Sequence, residues 1–197
     1  RIAETDQRSS RVSLDIPIPP VPDVERHVLK NADLDEIWSY INPQMLYGRH
    51  LGLRGKFTEL LAAGDQLARE LEETIDGVKD ECRAGAMRVA VVWQFFEAER
   101  DGNSIKLFGK EGPVASFRFP RQRKEDGLAL SDLVLPSDRT GRDHIALFVT
   151  TAGEGIRERS EAAKNAGEYL RSYALQALAL ETAEAAAEWL HSRLRAA

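Results

Sequence analysis

The stretch MRVAVVWQFFEAERDGNSIKLFG, residues 87–109, constrains the fold more than any other part of this chain. β-Branched and aromatic residues lie on both sides of Asp101-Gly102-Asn103, which has the turn chemistry of a hairpin. The sequence therefore predicts two neighbouring strands that pair in the antiparallel direction.

Two further strands are predicted, at 114–119 and 144–150, with one helical turn plus a loop between them. From Gly155 to the end, alanine, leucine, glutamate and arginine dominate and proline is absent, which predicts one long helix or two abutting helices. The expected fold class is α+β, with a largely antiparallel, curved sheet and helices packed on one of its faces.

Three helical segments are predicted ahead of the hairpin, from their capping residues and from apolar positions at helical spacing. Proline is favourable in a first helical turn, and aspartate after glycine can start a fresh helix at Gly64-Asp65. The predicted segments run from Asp33 or Asp35 to Ile41, from Asn42-Pro43 to the GLRG turn, and from Lys56 to about Arg83.

The N-terminal region is predicted to be an extended arm. Residues 12–30 hold four prolines, which remove backbone donors and disfavour a place inside a sheet. The chain also begins without methionine, on a charged stretch typical of an inter-domain linker. We expect a linker and arm over 1–30, a folded domain over 31–197, and a chain that is a fragment of something longer.

Composition excludes several classes of function. The formal charge of −5 opposes a general affinity for nucleic acid. No run of 18 apolar residues exists, and the N-terminus lacks the apolar core of a signal peptide, so we expect a cytoplasmic protein without membrane contact. The single cysteine, Cys82, has no nearby histidine to activate it, and we interpret it as structural.

Three potential sites are better explained as structure. Glu181, Glu184, Glu188 and His191 follow one stripe of the last helix, but a di-iron bundle needs a second Glu-x-x-His motif, which is missing, so we interpret the stripe as a solvated helix face. TTAGEG, 150–155, lacks the lysine and serine of a phosphate loop and is interpreted as a turn. The four histidines occupy separate elements without a nucleophile pattern, so no catalytic residue is predicted.

Aromatic residues alternate with basic ones in ASFRFPRQRKEDG, 115–127, a pattern that could indicate an RNA-binding face. Alternation along a strand instead places Phe117 and Phe119 on one side as core and Arg118 on the other. Together with the acidic net charge, this argues against nucleic acid.

Seven motifs, in order, resemble the C-terminal activation domain of cobalamin-dependent methionine synthase. Each motif is weak alone, but their order and spacing are specific and they span almost the whole chain. The motifs are IPIPPVPD (16–23), YINPQMLYGRHLGLRGKF (40–57), VVWQFFEAERDGNSIKLF (91–108), FRFPRQ (117–122), LALSDLVLP (128–136), DHIALFVTTAG (143–153) and AEAAAEWLHSRLR (183–195).

This resemblance implies a domain of a methyltransferase, 5-methyltetrahydrofolate-homocysteine S-methyltransferase, that serves its repair. Such a domain binds S-adenosylmethionine and presents it to cobalamin carried by a neighbouring domain of the same polypeptide. With an electron from flavodoxin or an equivalent reductase, inactive cob(II)alamin returns to methylcobalamin. The cofactors carry the chemistry, and the protein positions them.

The resemblance implies two ligand-binding positions. Asn42 stands where the family has an acidic residue that pairs with the amino group of S-adenosylmethionine, so the contact would lose its charge and weaken. Glu184 matches a family glutamate that faces the same ligand. The family's arginine-bearing loop is expected after residue 197, so this fragment alone is expected to be inactive, with apolar surface exposed near Trp189 and Leu190.

Basic residues near the two turns are expected to meet an acidic partner such as flavodoxin, because charges at the rim of an interface speed encounter. These residues are Arg49, Arg54, Lys56 and Arg121. An alternative is a non-catalytic docking module for a corrinoid domain or a reductase that has lost S-adenosylmethionine binding.

Overall fold

The protein is described here by a computed structural model that covers residues 5–136, 138 and 141–196. Its contacts divide the chain into two compact units. Unit 1 consists of Arg1–Arg26 and Trp93–Leu147, and unit 2 consists of His27–Val92 and Phe148–Ala197. Each unit is therefore assembled from two stretches that are far apart in sequence.

Five strands form one sheet within the described residues, and the predicted hairpin is confirmed. Asp101 pairs with Ser104, so Gly102 and Asn103 make the turn, and Gly102 takes the positive φ of 58° that such a turn needs. The β2–β3 and β3–β4 pairs are antiparallel, the order is β1-β2-β3-β4, and β5 pairs with β2. The strands are β1 His27–Lys30, β2 Val89–Asp101, β3 Ser104–Gly109, β4 Gly112–Arg118 and β5 Asp143–Ala152.

The helices lie close to their predicted places. The Asp65 side chain accepts a hydrogen bond from the Ala68 N–H at 2.9 Å and so starts the helix that follows Gly64. The α-helices are α1 Leu34–Trp38, α2 Phe57–Ala62, α3 Gln66–Glu81, α4 Ile156–Asn165 and α5 Tyr169–Ala196; π-helical segments cover Gln44–His50 and Cys82–Ala86, and a 3₁₀ turn covers Leu130–Leu133.

Two boundaries differ from the sequence prediction. Helix α1 ends at Trp38 rather than Ile41, because the next backbone N–H groups bond three residues back and tighten the chain into turns. Strand β1 forms at His27–Lys30, inside the stretch predicted as an extended arm. The prolines all precede it, so its backbone donors are intact.

Unit 2 has a core made mainly of helix. Helix α3 presents apolar residues at helical spacing, and α5 presents a matching set, so the two helices bury each other's faces. Core residues of these helices, each at most 2% exposed, include Leu71, Ile75, Val78, Leu175 and Leu178.

Unit 1 has a smaller core on its strands, formed by Ala98, Ile105, Leu107 and Val134. Phe119 packs against this cluster, as predicted. Phe117 does not, since 42% of it is exposed, and the prediction that it is core was wrong. Phe117 lies in β4, which is the last strand in the order β1-β2-β3-β4 and pairs with β3 on one edge.

Candidate functional site

Helix α5 carries the acidic residues singled out in the sequence, and their environments differ. Glu181 is only 5% exposed, and its carboxylate lies 2.9 Å from His50 Nε2, at the end of the first π-helical segment. Interpreting Glu181 as part of a solvated face was therefore wrong. A buried carboxylate needs such a partner to remain in the interior.

Glu184 and Glu188 are exposed, and no hydrogen bond or ion pair engages either one within the described residues. A helix turns by 100° per residue, so positions 181, 184, 188 and 192 share one side of α5. Two carboxylates without partners on one side of a rigid helix can accept hydrogen bonds from a cationic ligand.

The segment that contains Asn42 runs along this same side of α5. At one end, Tyr40 Oη lies 3.0 Å from Ser192 Oγ, and at the other, His50 bonds to Glu181. Glu184 and Glu188 fall between these two contacts along the helix. We use the name acceptor face for four exposed residues along this side, which are Tyr40, Asn42, Glu184 and Glu188.

Asn42 is exposed, and its side chain is partly committed. Its Oδ1 accepts a hydrogen bond from the Gln44 N–H at 2.9 Å, and its carbonyl accepts from Met45 and Leu46. The asparagine thus caps the π-helical segment, as predicted for Asn42-Pro43. No direct hydrogen bond joins Asn42 to Glu184, and neither of the two described pockets includes them.

Local packing fixes the π-helical segment beneath the acceptor face. Tyr47 stacks on Phe57 with ring centroids 3.6 Å apart. The Gln44 side-chain amide donates to the Gly55 carbonyl at 3.0 Å. The nitrogen of that amide lies only 2.4 Å from the position that a Cβ on residue 48 would occupy. Glycine at 48 therefore leaves room for the bond that closes this turn.

Apolar exposure near Trp189 and Leu190 was expected, and that expectation was wrong. The two residues are only 3% and 2% exposed. The guanidinium of Arg193 lies 4.4 Å from the Trp189 ring and bonds to Glu36 at 2.6 Å, which lowers the pKa of that carboxyl. Contacts within unit 2 thus cover the tryptophan.

The predicted basic contacts separate into two groups. Arg49, Arg54 and Lys56 are exposed, with Lys56 paired to Glu59 at 2.8 Å. Arg121 is instead enclosed in unit 1, with a side chain 7% exposed, so proposing it as a partner contact was wrong. The sequence shows that Arg121 lies in a basic cluster, but no local pattern indicates the carboxylate with which it pairs.

That carboxylate belongs to Asp132, which is fully buried. Arg121 Nη1 and Nη2 donate to its two oxygens at 2.6 and 2.8 Å, and Arg121 also bonds to Asn103 and the Gly127 carbonyl. Burial alone would raise the pKa of Asp132, but the bonds from Arg121 and the Ala129 N–H outweigh it and lower that pKa. This pair is part of the framework of unit 1.

The described residues give no support for a metal site, a reactive thiol or a membrane-spanning helix. No three His, Cys, Asp or Glu residues there are grouped to hold a metal ion. Cys82 is buried, and its burial raises the pKa of its thiol to about 11, in agreement with a structural role. No helix there is long and apolar enough to cross a membrane.

Comparisons with known proteins agree with the resemblance found in the sequence. The family described as vitamin B12 dependent methionine synthase, activation domain, matches residues 33–197. Methionine synthase of Mycobacterium tuberculosis (strain ATCC 25618 / H37Rv) is 24% identical over 203 residues, which cover 98% of this chain but only 17% of that protein. A crystal structure of the MetH reactivation domain bound to AdoHcy superimposes with a TM-score of 0.82 at 22% identity, over 96% of this chain and 61% of that one. The last comparison establishes the fold.

Proposed function

The chain belongs to the family of vitamin B12 dependent methionine synthase activation domains, and from this premise we propose that it binds S-adenosylmethionine for reductive methylation of cob(II)alamin. S-Adenosylmethionine would supply the methyl group and a reductase the electron that return the cofactor to methylcobalamin. The cobalamin would be carried by a neighbouring domain of the same cytoplasmic polypeptide, so the isolated chain would not turn over.

The acceptor face is the observation that carries this proposal. S-Adenosylmethionine carries a positive sulfonium and an ammonium group, and the exposed carboxylates of Glu184 and Glu188 have no described partner. The two carboxylates therefore fit the ligand, because they can accept charge-assisted hydrogen bonds from its ammonium group. A relative of the same fold was crystallised with AdoHcy, which supports an adenosyl ligand of this class.

Each residue has a distinct task in this proposal. Glu184 would accept hydrogen bonds from the ligand's cationic end, and Asn42 would offer its amide while it continues to cap the π-helical segment. His50, through Glu181, would position α5 against that segment. The chain's contribution is orientation and charge complementarity, which lower the barrier by holding the reacting groups in place.

Calorimetric titration with S-adenosylmethionine tests the proposal, on this chain and on the full natural polypeptide. Glu184→Gln should weaken binding about tenfold, since a charge-assisted bond becomes a neutral one. Asn42→Asp should strengthen binding, because aspartate keeps the cap and adds a charge. Glu158→Gln, an exposed glutamate on α4, is the matched control and should leave binding unchanged.

Absence of binding to the full natural polypeptide would refute the proposed ligand. A polypeptide that bound the reductase but not S-adenosylmethionine would favour the alternative, a docking module without a methyl donor. Restoration of methylcobalamin from cob(II)alamin by the full polypeptide would exclude that alternative.

The reductase would dock through the exposed basic residues Arg49, Arg54 and Lys56, since flavodoxins are acidic as a class. Charge reversal, Arg49→Glu with Arg54→Glu, should slow complex formation and reduce its dependence on salt, because rim charges act mainly on the association rate. Arg123→Glu, exposed in unit 1, serves as the control. Equal slowing by the control would count against this docking surface.

A further inference from the structure

Unit 1 contains a cavity of about 660 Å³ that shares no residue with the acceptor face. This volume is within the range of small-molecule sites, which is about 300 to 1,000 Å³. Its wall includes Phe95, Phe96 and Phe108, and its edge includes Gly109 and Gly112. Side chains alternate along a strand, so Phe95 and Phe108 share the face that carries Glu97, whereas Phe96 packs into the core cluster of unit 1. Two phenylalanine rings beside two residues without side chains therefore make a slot with an aromatic wall that is open to backbone contacts.

Ion pairs and a hydrogen bond hold the walls in place. The guanidinium of Arg142 lies 3.7 Å from the centre of the Phe108 ring and bonds to Glu97 at 2.8 Å and Glu99 at 2.7 Å. The Gln94 amide donates to the Val24 carbonyl at 3.1 Å, which fixes the N-terminal arm at the opening. A slot held in this way loses little conformational entropy when it binds a ligand.

The charges at the opening indicate the sign of the ligand. Lys110 pairs with Glu25 at 2.5 Å, and Arg142 is neutralised by its two glutamates. Arg26 also lines the cavity, is exposed, and has no described ion pair. The cation left available at the mouth of an aromatic slot therefore favours an anion.

We infer that this cavity is a second binding site, for a flat aromatic molecule that carries one negative charge. The aromatic part packs against Phe95 and Phe108, where ring contacts prefer offset or edge-to-face geometry. The acidic group lies at the mouth, where Arg26 attracts it. This site is independent of the proposed methyl-donor function, since no residue of the acceptor face contributes to it.

Nuclear magnetic resonance titration of the whole chain with 1-naphthalenesulfonate tests the inference. The backbone amide signals of Gly109 and Gly112 should shift and saturate, with a Kd of about 1 mM for a probe of this size. Gly102, at the opposite end of β3, should not move. The neutral 1-naphthalenemethanol should bind about threefold more weakly, because it lacks the charge.

Two variants with matched controls locate the site. Phe95→Ala should raise the Kd about fivefold and Arg26→Gln about threefold. Phe117→Ala removes another half-exposed phenylalanine of unit 1, and Arg123→Gln removes another exposed arginine, and neither should change the Kd.

Three results would overturn the inference: a titration without saturation, equal shifts at Gly102, or equal affinity for the neutral probe. Unchanged affinity in both Phe95→Ala and Arg26→Gln would overturn it as well. Unchanged chemical shifts elsewhere in each variant show that it is folded, so loss of binding cannot be attributed to unfolding.

Discussion

At the scale of single residues, the Arg121–Asp132 pair shows why a basic residue near a turn need not be a surface contact. Asp132 is fully buried, and every bond it makes replaces water that it lost on folding. A buried ion pair adds little net stability, but removing one partner leaves the other charge unsatisfied. Removing one partner of this buried pair should therefore lower the free energy of unfolding far more than removing one partner of an exposed pair.

Asp132→Asn should lower the free energy of unfolding by about 3 to 5 kcal/mol, because the buried guanidinium of Arg121 loses its counterion. Urea denaturation measures this change. The control is Glu59→Gln, which breaks the exposed pair with Lys56 and should cost less than about 1 kcal/mol. Equal costs for the two variants would contradict the prediction.

The same pair makes stability depend on pH. The folded-state pKa of Asp132 lies below its ordinary value, so the unfolded chain takes up the proton first as the pH falls. The stability difference between the wild type and Asp132→Asn should be constant above about pH 5 and should shrink below about pH 4. Denaturation at a series of pH values measures it. A difference that persists to lower pH would show that the carboxylate charge is not responsible.

At the scale of elements, the sequence predicted what depends on local chemistry. The hairpin turn, the Asp65 cap and the amphipathic helix α3 follow from residue type and spacing, and all three are present. The π-helical form of Gln44–His50 was not predicted, and the bond from the Gln44 side chain to the Gly55 carbonyl, for which Gly48 leaves room, joins residues that no local pattern connects. His50 and Glu181 are 131 residues apart, so no local signal could have joined them.

Two glycines near the end of α3 should respond in opposite directions to alanine. Gly77 is inside the helix with open space around its Cα, so Gly77→Ala should stabilise by about 0.5 to 1 kcal/mol. Gly85 has a φ of 104°, which alanine tolerates poorly, so Gly85→Ala should destabilise by about 1 to 2 kcal/mol. Thermal denaturation of both variants measures the contrast. Stability changes of the same sign in the two variants would contradict this prediction.

At the scale of the whole molecule, each unit depends on two distant stretches of chain. Unit 2 takes Leu71 and Ile75 from the first stretch and Leu175 and Leu178 from the second. Both stretches contribute buried residues to one cluster, so that core is incomplete without either of them. The units, by contrast, have separate apolar clusters.

Truncation after Leu147 should therefore unfold one unit selectively. Amide protons in Gln66–Glu81 should lose their protection from exchange, because α5 no longer covers them, while those in β3 and β4 should keep theirs. Hydrogen-exchange mass spectrometry measures both regions. Adding the 148–197 peptide should restore protection to α3, and loss of protection throughout would show a single cooperative unit instead.

Helix α5 serves two purposes with one rigid body about 42 Å long, from its 28 residues. Its inner flank completes the core of unit 2, and its outer flank offers Glu184. A ligand that binds the outer flank of the folded helix also stabilises the core on its inner flank. At a free concentration of a hundred times its Kd, such a ligand adds about 2.7 kcal/mol to the free energy of unfolding. Under the proposed function, the supply of S-adenosylmethionine would therefore also affect how long the polypeptide resists proteolysis.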